Sequence, residues 1–269
     1  MNQIPRTIHY CWFGGAPKNE LIQKCMESWK QYCPDYEIIE WNEGNFDLSM
    51  CPYVQEAYDA RKWAFVSDYV RIWALNQFGG VYLDTDVEIK APMDRFLRHE
   101  AFTGFEKEDS PFTAVFGTKK EHPLTQAILD SYKERHFKRA DGTYDLQTNT
   151  ESVTNLLVER YGVRLDNSMQ YTSDGLAIYP NDYFCPKSHA DNQVRITSNT
   201  YAIHWFDGSW MDVDVKSTHK RMQKYNRVFG EKNVSTVYGI ITCAKREGIW
   251  RYVWTRIRKY SIKKRARND

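Results

Sequence analysis

Residues 63–88 read WAFVSDYVRIWALNQFGGVYLDTDVE, a helical pattern followed by two glycines and a strand pattern that contains two aspartates. The helical periodicity extends back to about residue 55, which predicts one helix from there to residue 78. Gly79 and Gly80 then predict its end, because glycine readily adopts the left-handed backbone that closes many helices. Beyond them, apolar and polar residues alternate over 81–89, which predicts one strand with Asp84 and Asp86 on the same face.

The two aspartates predict a cation site. Two neighbouring carboxylates repel each other when ionised, so such a face either raises a pKa or holds a cation. A divalent ion that prefers oxygen ligands would relieve the repulsion. On the preceding helix, Asp68 and Arg71 are three residues apart and could simply pair with each other. Because that helix leads directly into the aspartate strand, we favour the interpretation that both point at whatever the aspartates bind.

The rest of the chain predicts an α/β protein with one large core. Strand patterns at 4–13 and 36–41 flank a helical pattern at 19–32 that Asn19 would cap, which indicates a βαβ unit. With 269 residues and 42% hydrophobic content, the chain can form one domain with a short appendage. Further strands are expected at 101–105, 112–117, 177–180 and 201–206, and further helices at 123–132 and 151–161.

Composition predicts a cytoplasmic protein. Six cysteines occur at irregular spacings without a CxxC pair, and the first residues contain no apolar segment of signal length. These features are typical of a chain with reduced thiols. No run of 18 apolar residues occurs, so the sequence predicts no membrane span.

Residues 243–269 predict a basic appendage. They contain ten Lys/Arg and two acidic residues, whereas residues 1–242 contain 27 basic and 33 acidic residues. Tryptophan, isoleucine and tyrosine recur at helical spacing among the basic residues, which predicts a basic amphipathic helix. It could dock on the body or bind nucleic acid, but its aromatic and charged faces best suit an anionic membrane surface. We therefore expect a catalytic domain over 1–242, a membrane-surface anchor over 243–269, and no nucleic-acid partner.

The DxD pattern alone is compatible with several functions. A calcium-binding EF-hand loop needs glycine at its sixth position and glutamate at its twelfth, where this chain has Ile89 and Arg95. A phosphohydrolase of the haloacid dehalogenase type places Thr or Val two residues beyond the second aspartate, where Glu88 stands. Both alternatives are therefore weak.

Further motifs extend the match to a known family. In chain order they are Ile4–His9 with Trp12 and Gly14-Gly15, Ser67–Arg71, Gly79–Asp86, Tyr179-Pro180 with Phe184 and Pro186, His204, and Ser209-Trp210. On these residues the chain resembles glycosyltransferase family 32, which includes yeast-type initiating α-mannosyltransferases and bacterial capsule enzymes. It is more distantly similar to the glucosylating domain of large clostridial toxins.

The resemblance implies a GT-A type nucleotide-diphospho-sugar transferase fold, with a mixed sheet flanked by helices. It also implies Mn²⁺ or Mg²⁺ as cofactor and transfer of a hexose or N-acetylhexosamine with retention, a UDP-sugar being favoured as donor. The acceptor would be a glycan or lipid-linked saccharide, in capsule or exopolysaccharide synthesis, at the inner face of the cell membrane. The alternative is a non-catalytic protein that binds glycans or nucleotide sugars through a relic site.

The resemblance also assigns roles to individual residues. Asp86 and His204 would bind the metal, although His204 could equally be a buried structural histidine. Trp12, just before Gly-Gly, would stack on the nucleobase, whereas His9 is interpreted as structural. The catalytic group would be Asp68, Arg71, Asp84 and Trp210, and the donor would be bound by Trp12, Ser67, Asp68, Arg71, Asp84, Ser209 and Trp210. Asn149 stands where relatives have a glycine-proline pair, which leaves the acceptor-side loop unassigned.

Overall fold

The computed structural model describes residues 3–112, 114–188, 190–208, 223, 226 and 227. All strands and helices named below belong to one compact unit, which comprises Met1–Ser188 and Val194–Trp210. In chain order they are β1 (Thr7–Cys11), α1 (Glu20–Tyr32), β2 (Glu37–Trp41), α2 (Pro52–Asp59), α3 (Trp63–Phe78), β3 (Gly80–Leu83), β4 (Val87–Ile89), β5 (Ala101–Gly104), β6 (Val115–Thr118), α4 (Pro123–Asp130), α5 (Asn149–Tyr161), β7 (Gln170–Tyr171), β8 (Leu176–Tyr179), α6 (Asn181–Phe184) and β9 (Ala202–His204).

The main sheet has seven strands in the order β2-β1-β3-β6-β5-β8-β7. β1 pairs in parallel with both β2 and β3, and β5 pairs in parallel with β8. β6 is antiparallel to both β3 and β5, so β3 and β5 run in the same direction. The carboxyl ends of β1, β2, β3, β5 and β8 therefore meet at one edge of the sheet, and the functional residues lie at this edge.

Apolar side chains cover both faces of the sheet. Along β3, Tyr82 packs into a core cluster that contains residues of α2, α3, α4 and α5. Its neighbours Val81 and Leu83 pack into a second cluster, on the side of α1 and β4. This arrangement confirms the predicted α/β architecture, a mixed sheet flanked by helices, which is the architecture that the resemblance to GT-A enzymes implied.

The predicted βαβ unit and most predicted elements are confirmed. β1 and β2 pair in parallel on either side of α1, and the Asn19 side chain caps α1 by accepting the Ile22 N–H at 2.9 Å. The four later strands and two later helices lie within a few residues of their expected positions. The later strands β5, β6, β8 and β9 are buried at every position, which agrees with their short, mainly apolar sequences.

The prediction of a single helix from about residue 55 to residue 78 is wrong. The structure has two helices, α2 and α3, separated by a turn at residues 60–62. Arg61 adopts a left-handed backbone with φ of 54°, and the Lys62 N–H donates to the Ala57 carbonyl at 2.9 Å. Because the interruption is so short, the apolar residues on either side retain an approximately helical spacing.

The prediction of one strand over 81–89 is also wrong. β3 ends at Leu83, residues 85–86 form a turn, and β4 pairs with β9 in a separate two-stranded sheet. The Val87 N–H donates to the Asp84 carbonyl at 3.0 Å, which closes this turn. Aspartate favours turns because its side chain can bond to nearby backbone groups. The alternating pattern therefore reflects two short strands and a turn.

The junction between α3 and β3 depends on two glycines and one buried histidine. Gly79 has φ of 68° and ψ of −168°, a conformation that is essentially restricted to glycine. The His9 Nε2–H donates to the Gly79 carbonyl at 2.8 Å, and His9 Nδ1 accepts the Trp41 indole N–H at 3.1 Å. His9 is fully buried, and burial lowers its pKa. The interpretation of His9 as structural agrees with these contacts.

Several predictions concern residues that the structure does not describe. The basic amphipathic helix expected within residues 243–269 lies outside the described residues. Within the described part of the chain, no helix is both long and apolar enough to cross a membrane. Five cysteines in that part are free thiols, namely Cys11, Cys25, Cys33, Cys51 and Cys185.

The α3–β3 junction predicts a strong effect of Gly79→Ala. A Cβ at this position would lie 2.8 Å from the Lys120 backbone nitrogen and would also require a strained backbone. We expect the free energy of unfolding in urea to fall by about 3 kcal/mol or more. Gly162→Ala is the matched control, since Gly162 also has a positive φ (64°) but no atom stands near its Cβ position. Equal losses in the two variants would contradict this account of Gly79.

Candidate functional site

Two acidic residues and one histidine form a cluster at the carboxyl edge of the sheet. Asp84 and Asp86 lie in the turn that follows β3. β9 brings in His204 by pairing with β4, with His204 opposite Val87. Oxygen or nitrogen atoms of the three side chains lie within 4.8 Å of one another. The predicted association of Asp84, Asp86 and His204 is therefore observed, although a turn brings the aspartates together and not the face of one strand.

Asp86 is fixed by contacts from the β9 segment. One of its carboxylate oxygens is 3.4 Å from His204 Nε2, and the other accepts the Asp207 backbone N–H at 2.8 Å. The Asp86 carbonyl accepts the Trp205 N–H at 3.0 Å. Burial disfavours charge on both Asp86 and His204, but their mutual attraction outweighs it. The pKa of Asp86 consequently lies below its usual value, and the pKa of His204 lies well above its own.

The cluster has suitable ligand atoms for a divalent cation. Carboxylate oxygens suit Mg²⁺ and Mn²⁺, and an imidazole nitrogen is a common ligand of transition-metal ions. His204 must lose its extra proton before Nε2 can bind a metal. Asp84, Asp86 and His204 are thus the residues that would hold the ion.

Arg71 links the cluster to α3. Its guanidinium lies 3.1 Å from an oxygen of Asp68 and 3.2 Å from an oxygen of Asp84. It also packs over the Tyr82 ring, 4.6 Å from the centroid, and the Tyr82 hydroxyl donates to Asp84 at 3.0 Å. The Asp68–Arg71 pairing that we considered for the helix surface therefore exists, but it is buried and extends to Asp84.

Asp68 sits in an unusual electrostatic environment. Its side chain is only 13% exposed, and burial raises its pKa to about 6, with Arg71 opposing the rise and Asp84 adding to it. Ser67 precedes it, and the Ser67 hydroxyl donates to the Trp63 carbonyl within α3 at 3.0 Å. A carboxyl group with a raised pKa at a buried site can exchange hydrogen bonds with a polar ligand in either protonation state.

Asn149, which the sequence left unassigned, lies beside Asp68. α5 begins there because the Thr148 hydroxyl accepts the Glu151 N–H and caps the helix. The Asn149 amide donates to the Asp68 carbonyl at 3.5 Å, and the residue is only 5% exposed. Among the described residues nothing donates to its side-chain oxygen. A buried amide oxygen without a partner is costly, so Asn149 is a candidate ligand-binding residue.

Glu106 is a second residue that the motifs missed. It lies two residues beyond the end of β5, at the same sheet edge as Asp84, and it is partly buried. Burial raises its pKa, while the nearby charges of His204 and Arg71 oppose the rise. Its position could have been found only from the strand order, which places β5 near β3 although 17 residues separate the two strands along the chain.

Trp12, which the resemblance assigned to stacking on the nucleobase, lies just after β1 and has contacts within the protein. Its indole N–H donates to the Ala16 carbonyl at 2.7 Å, and the Lys18 ammonium lies 5.2 Å from the ring centroid. A cleft of about 520 Å³ opens nearby, and Trp12 is not among its lining residues, which are Gly14, Gly15, Glu43, Tyr58, Asp59, Arg61 and Trp63.

Trp63 and Tyr58 are the two aromatic residues that line this cleft, and the motifs include neither of them. A Cβ added at Gly14 would meet the Trp63 ring at 2.6 Å, so glycine is required for this close packing. Trp63 begins α3, the helix that also carries Ser67, Asp68 and Arg71. One helix therefore connects the cleft to the acidic cluster. Ser209 and Trp210, the remaining predicted site residues, lie outside the described residues.

Comparisons with known proteins agree with the motif analysis. A family model for the "Glycosyltransferase sugar-binding region containing DXD motif" matches residues 19–103. Inositol phosphoceramide mannosyltransferase 3 of Schizosaccharomyces pombe is 29% identical over 133 residues, which are 47% of this chain and 36% of that protein. Mannosyl phosphorylinositol ceramide synthase SUR1 of Saccharomyces cerevisiae is 28% identical over 141 residues, which are 48% of this chain and 35% of that protein. The chain thus spans about a third of the length of these two relatives.

The solved structures that the chain matches at lower similarity include two glycosyltransferases. The PaToxG glycosyltransferase has 18% sequence identity and a TM-score of 0.46, over 59% of this chain and 69% of that chain. A glycosyltransferase involved in glycosylation of the major capsid of PBCV-1 has 12% identity and a TM-score of 0.43, over 81% and 99%. The family match, which includes Asp68, Arg71, Asp84 and Asp86, confirms the resemblance stated from the motifs.

The His204–Asp86 pair predicts proton release when a metal binds. Because the pKa of His204 is raised, the imidazole is charged without metal, and an ion must displace that proton. We expect Mn²⁺ affinity to increase with pH up to the pKa of His204. Calorimetry in buffers of different ionisation enthalpy should show proton release for the wild type. His204→Gln should abolish it, whereas His136→Gln, at an exposed histidine paired with Glu56, should not. Undiminished release in His204→Gln would exclude His204 as the source.

Proposed function

We propose that this chain, whose residues 19–103 are a DXD-containing glycosyltransferase region, is a metal-dependent retaining glycosyltransferase. It would transfer a hexose or N-acetylhexosamine from a nucleotide diphosphate sugar to a glycan or lipid-linked acceptor. The observation that carries the proposal is the continuous set of contacts from Asp68 through Arg71 to Asp84, next to Asp86 and His204. A chain that only bound glycans would have no need of such a set.

The transfer reaction explains why a cation site and groups that bind the donor are useful at one site. The bond between the anomeric carbon and the donor's phosphate oxygen breaks, and the electron pair remains on the phosphate. The acceptor hydroxyl forms the new bond to the anomeric carbon and loses its proton to the medium. A divalent ion would stabilise the negative charge that develops on the leaving diphosphate. Asp86 and His204 would hold that ion, and we favour Mn²⁺ because the cluster includes an imidazole nitrogen.

The sugar of the donor would lie against Asp68, Arg71 and Asn149. Asp68 and Asn149 have buried polar atoms that can exchange hydrogen bonds with sugar hydroxyls. Arg71 would hold Asp68 and Asp84 in position, and its own N–H groups would lie close to the sugar. Glu106, from β5, is the described carboxylate best placed to approach the acceptor, since it comes from another strand end of the same edge.

The nucleoside of the donor would occupy the cleft at the start of α3. The cleft combines an aromatic ring, Trp63, with the exposed backbone of Gly14 and Gly15, and both features suit a base and its ribose. Trp12, just after β1, would stack on the base from beside this cleft. Contacts of this kind tolerate several bases, so the donor could carry uracil, which we favour, or guanine.

The names of the relatives support a hexose and a lipid acceptor. Both yeast proteins are named for mannosyl transfer to an inositol-containing ceramide. A lipid acceptor would require the enzyme to work at a membrane surface, and the basic segment 243–269 would supply that contact. We therefore propose that the protein works at the cytoplasmic face of the cell membrane, in synthesis of a surface glycan or polysaccharide.

Donor binding can be tested with a panel of nucleotide sugars. UDP- and GDP-linked hexoses and N-acetylhexosamines would be added to the protein with and without Mn²⁺ in a thermal unfolding assay. A true donor at 100 times its Kd should stabilise the fold by about 2.7 kcal/mol. Absence of any metal-dependent shift across the panel would refute the transferase proposal. Stabilisation without any donor hydrolysis or transfer would favour the relic-site alternative.

Asp86→Asn should reduce catalysis and leave the fold intact. The variant should lose metal-dependent donor hydrolysis by about 10²- to 10³-fold, because the leaving phosphate loses its cation. Asp94→Asn is the control, since Asp94 pairs with Arg6 at an exposed position. Full activity of Asp86→Asn would remove Asp86 from the mechanism.

Deletion of residues after Thr242 tests the membrane anchor. Binding to vesicles that contain phosphatidylserine should fall sharply, because each Lys/Arg near an anionic surface contributes about 1 kcal/mol. Donor hydrolysis should persist, and binding to neutral vesicles should remain weak in both proteins. Undiminished binding of the truncated protein to anionic vesicles would argue against the anchor.

A further inference from the structure

Lys187 has a buried ammonium group next to the metal-binding cluster. It follows α6 and forms an isolated antiparallel bridge with Val194, and the residue is only 9% exposed. Its ammonium donates to the Trp205 carbonyl and lies 5.1 Å from the centroid of a Trp205 ring. Neither the motifs nor the family match, which ends at residue 103, assigns a role to this lysine.

Trp205 connects Lys187 to the cluster through direct contacts. Its backbone N–H donates to the Asp86 carbonyl at 3.0 Å, and it directly follows His204. Its indole N–H donates to the Glu88 carboxylate at 2.9 Å. The Lys187 ammonium is therefore fixed to the residue that also fixes Asp86.

Lys187 forms no direct ion pair with any described carboxylate. No described carboxylate lies within 4.0 Å of its nitrogen, whereas Lys24, over the same Trp205 ring, pairs with Glu88 at 3.3 Å. Burial lowers the pKa of Lys187, and the more distant charges of Asp86 and Asp207 oppose that change only partly. A buried ammonium without a paired anion is costly, so a ligand that supplies an anion at this position would lower that cost.

We propose that Lys187 binds a phosphate oxygen of the donor's diphosphate, as a second positive charge beside the metal site. This inference rests on the proposed function. The carbonyl of Trp205 takes one of the three N–H donors of the ammonium, and the others can bond to phosphate oxygens. Lys187 would then hold the same leaving group as the ion at Asp86, from the side of α6.

The proposed contact also accounts for how positive and negative charges would balance when a diphosphate is bound at the site. Asp84, Asp86 and Glu88 are acidic, so a bare diphosphate would be repelled unless cations offset both the ligand and the carboxylates. One divalent ion with His204 would offset the carboxylates of the cluster. Lys187 would then compensate part of the charge that the diphosphate adds.

The test compares a nucleoside diphosphate with the matching nucleoside. UDP and uridine, or GDP and guanosine if the donor panel selects guanine, are titrated into the full chain with Mn²⁺. Lys187→Gln should weaken binding of the diphosphate about 10- to 100-fold, since a hydrogen bond to a charged group is lost. Affinity for the nucleoside should not change. Lys187→Arg should recover most of the lost affinity because it restores a buried cation.

Lys24→Gln is the matched control. It removes the exposed lysine on the same tryptophan ring, whose charge already has a partner in Glu88, and diphosphate affinity should stay within about twofold of the wild type. If Lys187→Gln does not fold, Lys187→Met tests the same loss of the ammonium charge.

Two results would overturn the inference and can be told apart from failure of the proposed function. Diphosphate affinity unchanged in Lys187→Gln, or an equal loss of nucleoside affinity, would assign Lys187 a purely structural role while leaving the transferase proposal intact. If the wild-type protein binds no nucleoside diphosphate at all, both proposals fail together.

Discussion

The arrangement of the site depends on a guanidinium buried between two carboxylates. Arg71 reaches from α3 to Asp68 on its own helix and to Asp84 at the end of β3. Only Gly79 lies between the helix and the strand, so the two elements are fixed to each other by backbone and by charge. Removing one partner would leave an uncompensated buried charge, which is far more costly than losing a surface ion pair.

The polar and charged side chains around Arg71 and its two carboxylates follow a defined order. On one side lie Asp68 and Asn149, whose buried polar atoms would suit a neutral hydroxylated ligand under the proposed function. On the other side lie Asp86 and His204, which suit a cation, and Lys187 follows as a fixed positive charge. A sugar linked to a diphosphate has the same sequence of groups, neutral hydroxyls followed by anionic phosphates. The order of the side chains therefore matches the order of groups in a nucleotide sugar.

Sequence reasoning could predict the features that are encoded locally. The cap of α1, the end of α3 at Gly79 and the association of Asp84 with Asp86 each follow from residues within a few positions. Glu106, Asn149, Lys187 and Trp63 were missed because they reach the site through the strand order β3-β6-β5-β8 or through loop packing. Periodicity also failed where turns were short, at Arg61 and at residues 84–86, because a brief interruption hardly disturbs the spacing of apolar residues.

The pairing of β4 with β9 has a consequence for how the protein acquires its site during synthesis. Asp84 and Asp86 leave the ribosome well before His204, Trp205 and Asp207, which complete the contacts to Asp86. A chain that has only reached residue 200 contains every strand of the seven-stranded sheet, but its Asp86 lacks the imidazole of His204, whereas Asp84 already has Arg71 as a partner. The cation site is therefore complete only when the returning strand β9 pairs with β4.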